Sequence, residues 1–367
     1  MKRVLCILSG MNAGGAETFL MKIYRHMDRS KYQMDFCINA KEKCFYEDEI
    51  LSMGGKIYRI PSKSEDMRGF QNGLYEIIKM NSYSRVLRIT SNAMGFMDLK
   101  IAKRAGAERC CARSSNASDG NGLKAAICHK LGRIFYGKFV DVKIAPSDLA
   151  AQYTFGKKAY QKGDVHILHN GLDLDVYQYL PEKREEIRKE FSIAPQTKLI
   201  GHVGRFSEQK NHMFLLEIFQ KIHMIDTSAR FLLVGKGELE ETIRKKAAAL
   251  GISGSVIFAG LRSDVPAILC AMDAFVMPSF YEGMPNTVIE AQATGLPCVI
   301  ADTITREADI TGLVQYMPLG DAADWAKTVL SAIRSERREV YDCFVEQRYD
   351  IAGVVDHFSE LIFEHEK

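Results

Sequence analysis

The chain has 367 residues, 47% apolar and 26% charged, with a formal net charge of +3, which fits a globular protein of two ordinary domains and excludes a disordered or fibrous one. No run approaches the roughly 18 consecutive apolar residues of a membrane span, and the apolar stretch Val4-Leu5-Cys6-Ile7-Leu8 is too short for a secretory signal and reads as a first strand. The nine cysteines lack metal-type spacing, and Cys110 and Cys111 are merely adjacent, so reduced, buried thiols in a cytoplasmic protein are expected.

That first strand, residues 3 to 8, leads through Gly14-Gly15 into a helix from Ala16 to Met27. Glycines there permit a tight turn and close backbone approach, with the first helical amides facing an anion. The spacing from Gly10 to Gly15 is not Gly-x-Gly-x-x-Gly and no Walker lysine follows, so a plain strand-to-helix bend is the alternative. Strands follow at 33 to 38, 85 to 90, 109 to 114 and 141 to 145. The segment Arg113-Ser114-Ser115-Asn116 ends one of them, with a cation at Arg113 and hydrogen-bonding groups at Ser115 and Asn116. Residues 122 to 143 set Ile127, Leu131, Ile134 and Phe135 at helical spacing among Lys124, Lys130, Arg133 and Lys138. Such a helix suits an anionic membrane interface, where each surface cation contributes about 1 kcal/mol. A packed helix with a solvated basic face is the other reading. Asn170, in His169-Asn170-Gly171-Leu172-Asp173, reads either as structural punctuation or as a crevice ligand.

Charge divides the chain. Residues 1 to 180 hold 28 Lys and Arg against 18 Asp and Glu, whereas residues 181 to 367 hold 21 against 28. The basic half therefore suits an anionic membrane or a lipid-pyrophosphate acceptor; no nucleic-acid motif accompanies it. A highly charged helix near Glu182 marks a boundary, and strands resume at 198 to 203, 230 to 235, 255 to 259, 273 to 277 and 297 to 301. Strand and helix alternate throughout, which argues for parallel sheets covered on both faces. Two Rossmann-like domains are expected, 1–180 and 181–349, followed by a segment at 350–367 whose apolar residues have helical periodicity.

The second half carries the chemistry. In Gly204-Arg205-Phe206-Ser207-Glu208-Gln209-Lys210, two cations follow a strand end and could hold a diphosphate as its charge grows. Gly235 and Gly237 follow the next strand, and Arg262 the one after; glycines at strand ends serve either the close approach of a ligand or packing alone. The segment from Met277 to Val299 is the most informative. A strand enters a turn holding Glu282, Gly283, Met284 and Pro285, and a helix starts near Asn286 with Thr287 and Glu290 in its first turns. Unpaired amides at that helix start form an anion site. Two carboxylates beside it make sense as acceptors for hydroxyls, so the ligand implied carries both phosphate and hydroxyls, as a nucleotide sugar does.

Glu-x7-Glu within Glu-Gly-x-Pro-Asn, followed by Ala-x-Ala-x-Gly-x-Pro-x-Val, resembles the retaining glycosyltransferases of family 4. The likeness is strongest to those of bacterial exopolysaccharide and capsule synthesis. The resemblance implies the GT-B fold, two Rossmann-like domains with parallel sheets facing a central cleft and a terminal helix, 350–367, that returns to the first domain. It implies a nucleotide-sugar donor, UDP by preference, and a saccharide or polyprenyl-pyrophosphate-linked acceptor. By the same resemblance Glu282 stabilises the anomeric carbon, Arg205 and Lys210 hold the diphosphate, Glu290 binds the ribose, Gly14 and Gly15 face the donor phosphates, Gly235 and Gly237 let the backbone approach the nucleotide, and Arg262 lies near the base. No metal or other cofactor is expected, since the two cations make a divalent ion unnecessary. The expected place is the cytoplasm, or the periphery of the inner face of the cell membrane. Many relatives carry histidines where this chain has Arg113 and Ser115. That departure leaves room for a non-catalytic donor-binding subunit, and a nucleotide-sugar epimerase or hydrolase on the same fold is a further alternative.

Overall fold

The computed structural model describes residues 1–115, 122–334 and 337–364. Two compact units divide them, one from residues 1–171 and 348 onward, the other from residues 172–347.

The first unit holds a seven-stranded parallel sheet. Its strands are β1 (Lys2–Ile7), β2 (Tyr32–Ile38), β3 (Ile57–Arg59), β4 (Arg85–Thr90), β5 (Arg109–Ser114), β6 (Val142–Ala145) and β7 (Val165–Ile167). They lie in the order β3-β2-β1-β4-β5-β6-β7. Burial on both faces explains why β2 is hidden along its whole length. Helix α1 (Gly15–His26) buries Phe19, Leu20 and Ile23 against one face, and α2 (Phe96–Arg104) buries Leu99 and Ala102 against the other core. The terminal helix Ile351–Ser359 and the turn after it belong to this unit. Phe358 meets Phe19 edge to face at 6.3 Å, Phe363 stacks on Tyr32 at 4.5 Å, and Arg109 donates to the Leu361 carbonyl at 2.7 Å.

Helix α3 (Gly122–Tyr136) is turned opposite to the packed-helix reading. A Cβ on Gly132 would lie 2.7 Å from the backbone of Ala93 and Met94, so the glycine side seats the helix. Buried His129 accepts from the Ala93 amide at 3.1 Å. Ile127, Leu131, Ile134 and Phe135 are left 44–61% exposed, beside exposed Lys130 and Lys138.

The second unit has a six-stranded parallel sheet of β8 (Leu199–Val203), β9 (Arg230–Val234), β10 (Val256–Gly260), β11 (Ala274–Met277), β12 (Cys298–Ala301) and β13 (Val314–Met317). Its order is β10-β9-β8-β11-β12-β13. Helix α4 (His212–Ile225) and helix α5 (Asn286–Ala293) follow β8 and β11. α5 stops where Gly295 takes φ +67°, a conformation that suits glycine, and Pro297 precludes continuation. In each sheet the order reverses at the unit's first strand, beside β4 in one and β11 in the other. Open α/β sheets bind ligands at that reversal, beyond the carboxyl ends of the strands. Among the described residues no helix is long and apolar enough to cross a membrane.

Candidate functional site

The reversal in the second sheet brings the loops after β8 and β11 together. Lys210, closing a short 3₁₀ turn after β8, and Glu282, in the turn after β11, form an ion pair of 2.7 Å although 72 positions apart. Their side chains are only 16% and 9% exposed, so the pair is shielded from solvent and screened less than a surface pair. Backbone bonds fix the two loops to one another: the Phe280 amide donates to the Gln209 carbonyl, and the Gln209 side chain donates to the Tyr281 carbonyl, each at 2.9 Å. Thr303 ties down the Ser279 carbonyl.

Beside the pair, α5 begins at Asn286 after Pro285, and no side chain caps it. Gly283, Met284, Asn286 and Thr287 are partly exposed around this helix start. Uncapped amides and the helix dipole favour an anion there. Glu290 lies on the second turn, and the Tyr177 phenol hydrogen-bonds to it. Burial first, then the Glu290 charge, pushes the phenol's pKa up, so Tyr177 stays protonated and donates.

Arg205 stands apart from the Lys210–Glu282 pair. It is 74% exposed and reaches Glu238 at 3.1 Å, a weak pair that a ligand could displace. The other expected nucleotide contacts carry local duties. A Cβ on Gly235, at φ +140°, would lie 2.0 Å from the Gly204 carbonyl, and one on Gly237 would lie 2.3 Å from the Phe206 carbonyl. Close approach by the chain's own backbone therefore accounts for both glycines. Arg262 is held by Asp264 and Glu190 and is not a spare cation.

In the first unit Gly14 precedes α1 without a side-chain cap bond, and a Cβ on Gly15 would meet open space. Arg113 and Asn170 come together, Nη2 donating to Oδ1 at 2.7 Å. The guanidinium is buried, lies over the Phe19 ring at 3.6 Å, and leaves Nε without a hydrogen bond. Burial pulls its pKa down to about 9. Ser115 is exposed, its amide bonded to the Thr90 carbonyl; Asn116 lies outside the described residues.

Three side chains escaped the sequence reading. Tyr177 sits in a stretch without a motif. His202 interrupts the apolar strand β8, and His212 opens α4; their buried rings meet edge to face at 5.0 Å. Burial lowers both pKa values, His212 to about 4, and the nearby Lys210 charge adds to the effect. Two neutral imidazoles thus back the Lys210 ammonium. A lone histidine in an apolar strand was the available clue. Among the described residues, no His, Cys, Asp and Glu gather as a metal site would require.

Residues 197–335 match the family model described as glycosyl transferases group 1. EpsF of Bacillus subtilis, named as a glycosyltransferase, is 35% identical over 362 residues, covering 95% of this chain and 93% of that protein. The UDP-Gal:alpha-D-GlcNAc-diphosphoundecaprenol alpha-1,3-galactosyltransferase of Escherichia coli is 32% identical over 142 residues, 38% of this chain and 36% of its own length. The crystal structure of Anabaena HepE in complex with UDP superposes with a TM-score of 0.78 at 16% identity, covering 98% of this chain and 99% of HepE. HepE has also been solved with UDP-glucose. The shared architecture is the GT-B fold.

Proposed function

This chain belongs to the group 1 glycosyltransferases, and we propose that it moves a sugar from a UDP-sugar to a saccharide or lipid-linked saccharide during bacterial polysaccharide synthesis. The observation that carries this reading is the largely shielded Lys210–Glu282 pair beside the uncapped start of α5, at the reversal of the second sheet. Support for UDP comes from the HepE complexes, and support for a diphospholipid acceptor from the Escherichia coli relative.

In this reading the donor diphosphate meets the α5 amides, Lys210 and a reoriented Arg205. Their positive charge stabilises the negative charge that grows on the leaving diphosphate, an effect strongest in a site shielded from water. Glu282 faces the sugar, where its carboxylate accepts from hydroxyls and stabilises positive charge at the anomeric carbon. Lys210, donating to Glu282 at 2.7 Å, holds that carboxylate in position. Glu290 accepts from the ribose hydroxyls once Tyr177 yields its bond. No metal is needed to neutralise the diphosphate, and retention of configuration follows from the family 4 resemblance.

The exposed apolar row on α3, with Lys130 and Lys138 beside it, supports peripheral attachment to an anionic membrane, on the cytoplasmic side where nucleotide sugars are supplied. The buried Arg113, in place of the usual histidine, keeps a second reading in play: a subunit that binds donor without transferring it.

Thermal unfolding with UDP-, GDP-, ADP- and dTDP-sugars tests the donor. A ligand at ~100 times its dissociation constant adds about 2.7 kcal/mol to stability. Stabilisation by a UDP-sugar with turnover on a lipid-linked saccharide supports the enzyme; stabilisation without transfer or hydrolysis favours the subunit. No response to any nucleotide would sink both.

A further inference from the structure

The first unit holds a pocket of about 430 Å³ at the carboxyl ends of β1 and β4, the strands where its sheet order reverses. Ser9 follows β1 and Ser91 and Asn92 follow β4 at its walls, and Lys63 and Arg88 also line it. Beneath the two cations lies Asp98 of α2, fully buried, with Lys63 Nζ 2.5 Å and Arg88 Nε 2.8 Å from its oxygens. One carboxylate balances one of the two charges. The contacts are close but poorly aligned, since Arg88 Nε and both Asp98 oxygens lack a proper hydrogen bond. Arg88 Nη1 donates to the Ile7 carbonyl at 2.9 Å, which holds the guanidinium at the pocket wall. Burial, with a contribution from Arg88, lowers the Lys63 pKa. The other carboxylate at the pocket, Glu17, lies against Gly14 at the start of α1. A half-buried pair of cations that shares one contacting carboxylate and is anchored from behind is a receptor for an anion.

We propose that this pocket is a subsite for an oxyanion carried by the acceptor, phosphate or carboxylate, received by Lys63 and Arg88. The proposal rests on the glycosyltransferase reading for the word acceptor alone. Asp98 aligns the two cations and prevents them from repelling one another in the empty site. Neutral sugars lack the charge that the site is built to receive.

Calorimetric titration of the full chain at saturating UDP, which occupies the nucleotide-phosphate site, tests this. Inorganic pyrophosphate and glucuronate are the probes: preference for the first assigns a phosphate-bearing acceptor, preference for the second an acidic sugar. Lys63→Met should weaken the preferred anion about tenfold, the loss of one charge-assisted contact. Lys63→Arg, which keeps the charge, should return affinity to within about threefold. Arg88→Met, with a melting curve to verify folding, is the second variant and should weaken the same anion. Binding of neither probe to the wild type, or equal binding by wild type and both Met variants, overturns the proposal. Absence of UDP binding would count against the donor reading alone, because the anion titrations can be repeated without UDP.

Discussion

Replacing Arg113 by methionine should stabilise the first unit although it removes a fully buried, hydrogen-bonded side chain. Among the described residues no carboxylate neutralises the guanidinium, and burial alone lowers its pKa from 12.5 to about 9. At 1.36 kcal/mol per pKa unit that drop corresponds to a desolvation cost of about 5 kcal/mol. Two contacts offset it. The cation over Phe19 at 3.6 Å returns about 2 kcal/mol, and the charged hydrogen bond to Asn170 at 2.7 Å about 2 kcal/mol more. The guanidinium therefore costs about 1 kcal/mol net, and a methionine of similar length fills the space without that cost. For a unit of this size the gain is a rise of about 2–4 °C in Tm. Far-UV circular dichroism reads the transition. Trp325, the single tryptophan, lies in the second unit and serves as an internal control by fluorescence, with no shift expected. Arg113→Lys should lose about 2 kcal/mol, because an ammonium cannot spread over the ring or keep the planar fork. A loss of more than about 2 kcal/mol in Arg113→Met would refute the reasoning and mean that the charge is well compensated.

Glu282→Gln should reduce transfer about 100-fold while leaving the UDP dissociation constant within about threefold, measured by initial rates and calorimetry; a wild-type rate would remove Glu282 from the chemistry. Lys210→Met should weaken UDP-sugar binding about tenfold and leave Glu282 as an unpaired, poorly solvated carboxylate, with a loss of about 2–3 kcal/mol in denaturant. His212 has a folded pKa of about 4 against 6.5 when free, so the unfolded state takes up the proton first as pH falls. The resulting stability is present above 6.5 and declines by about 3 kcal/mol toward pH 4 on account of His212, read by Trp325 fluorescence in urea; His212→Asn should reduce the decline and leave the part due to His202. Changing Ile134 and Phe135 together to Asp should lower partition onto anionic vesicles at least about 30-fold by sedimentation without altering UDP binding.

The alternation of strand and helix was legible because strands buried on both faces read as short apolar runs, as β9, β11 and β12 do. The strands missed were β3, β7 and β13, all at sheet edges, where one side is unpaired and the strand shortens to three or four residues with a polar one among them. α3 was legible as an amphipathic helix but not as to which side faces out. The decision belonged to Gly132, whose missing Cβ lets the helix meet backbone at Ala93 and turns the apolar row away from the core.

By itself the sequence determined the chemical inventory: two carboxylates and two cations at strand ends, an uncapped helix start after Pro285, and a histidine position taken by arginine. Those are local properties, set by residue type and by turn and helix preferences over a few positions. Only the tertiary structure decided which groups meet. Lys210 finds Glu282 because two loops 72 positions apart leave adjacent strands, whereas Arg205, five residues away, points to Glu238, and Arg262 is tied to Glu190 and Asp264. Tyr177 on Glu290, and Asp98 under Lys63 and Arg88, likewise join chain segments that share no motif. Coulomb energy depends on distance and burial in space, and sheet order sets both.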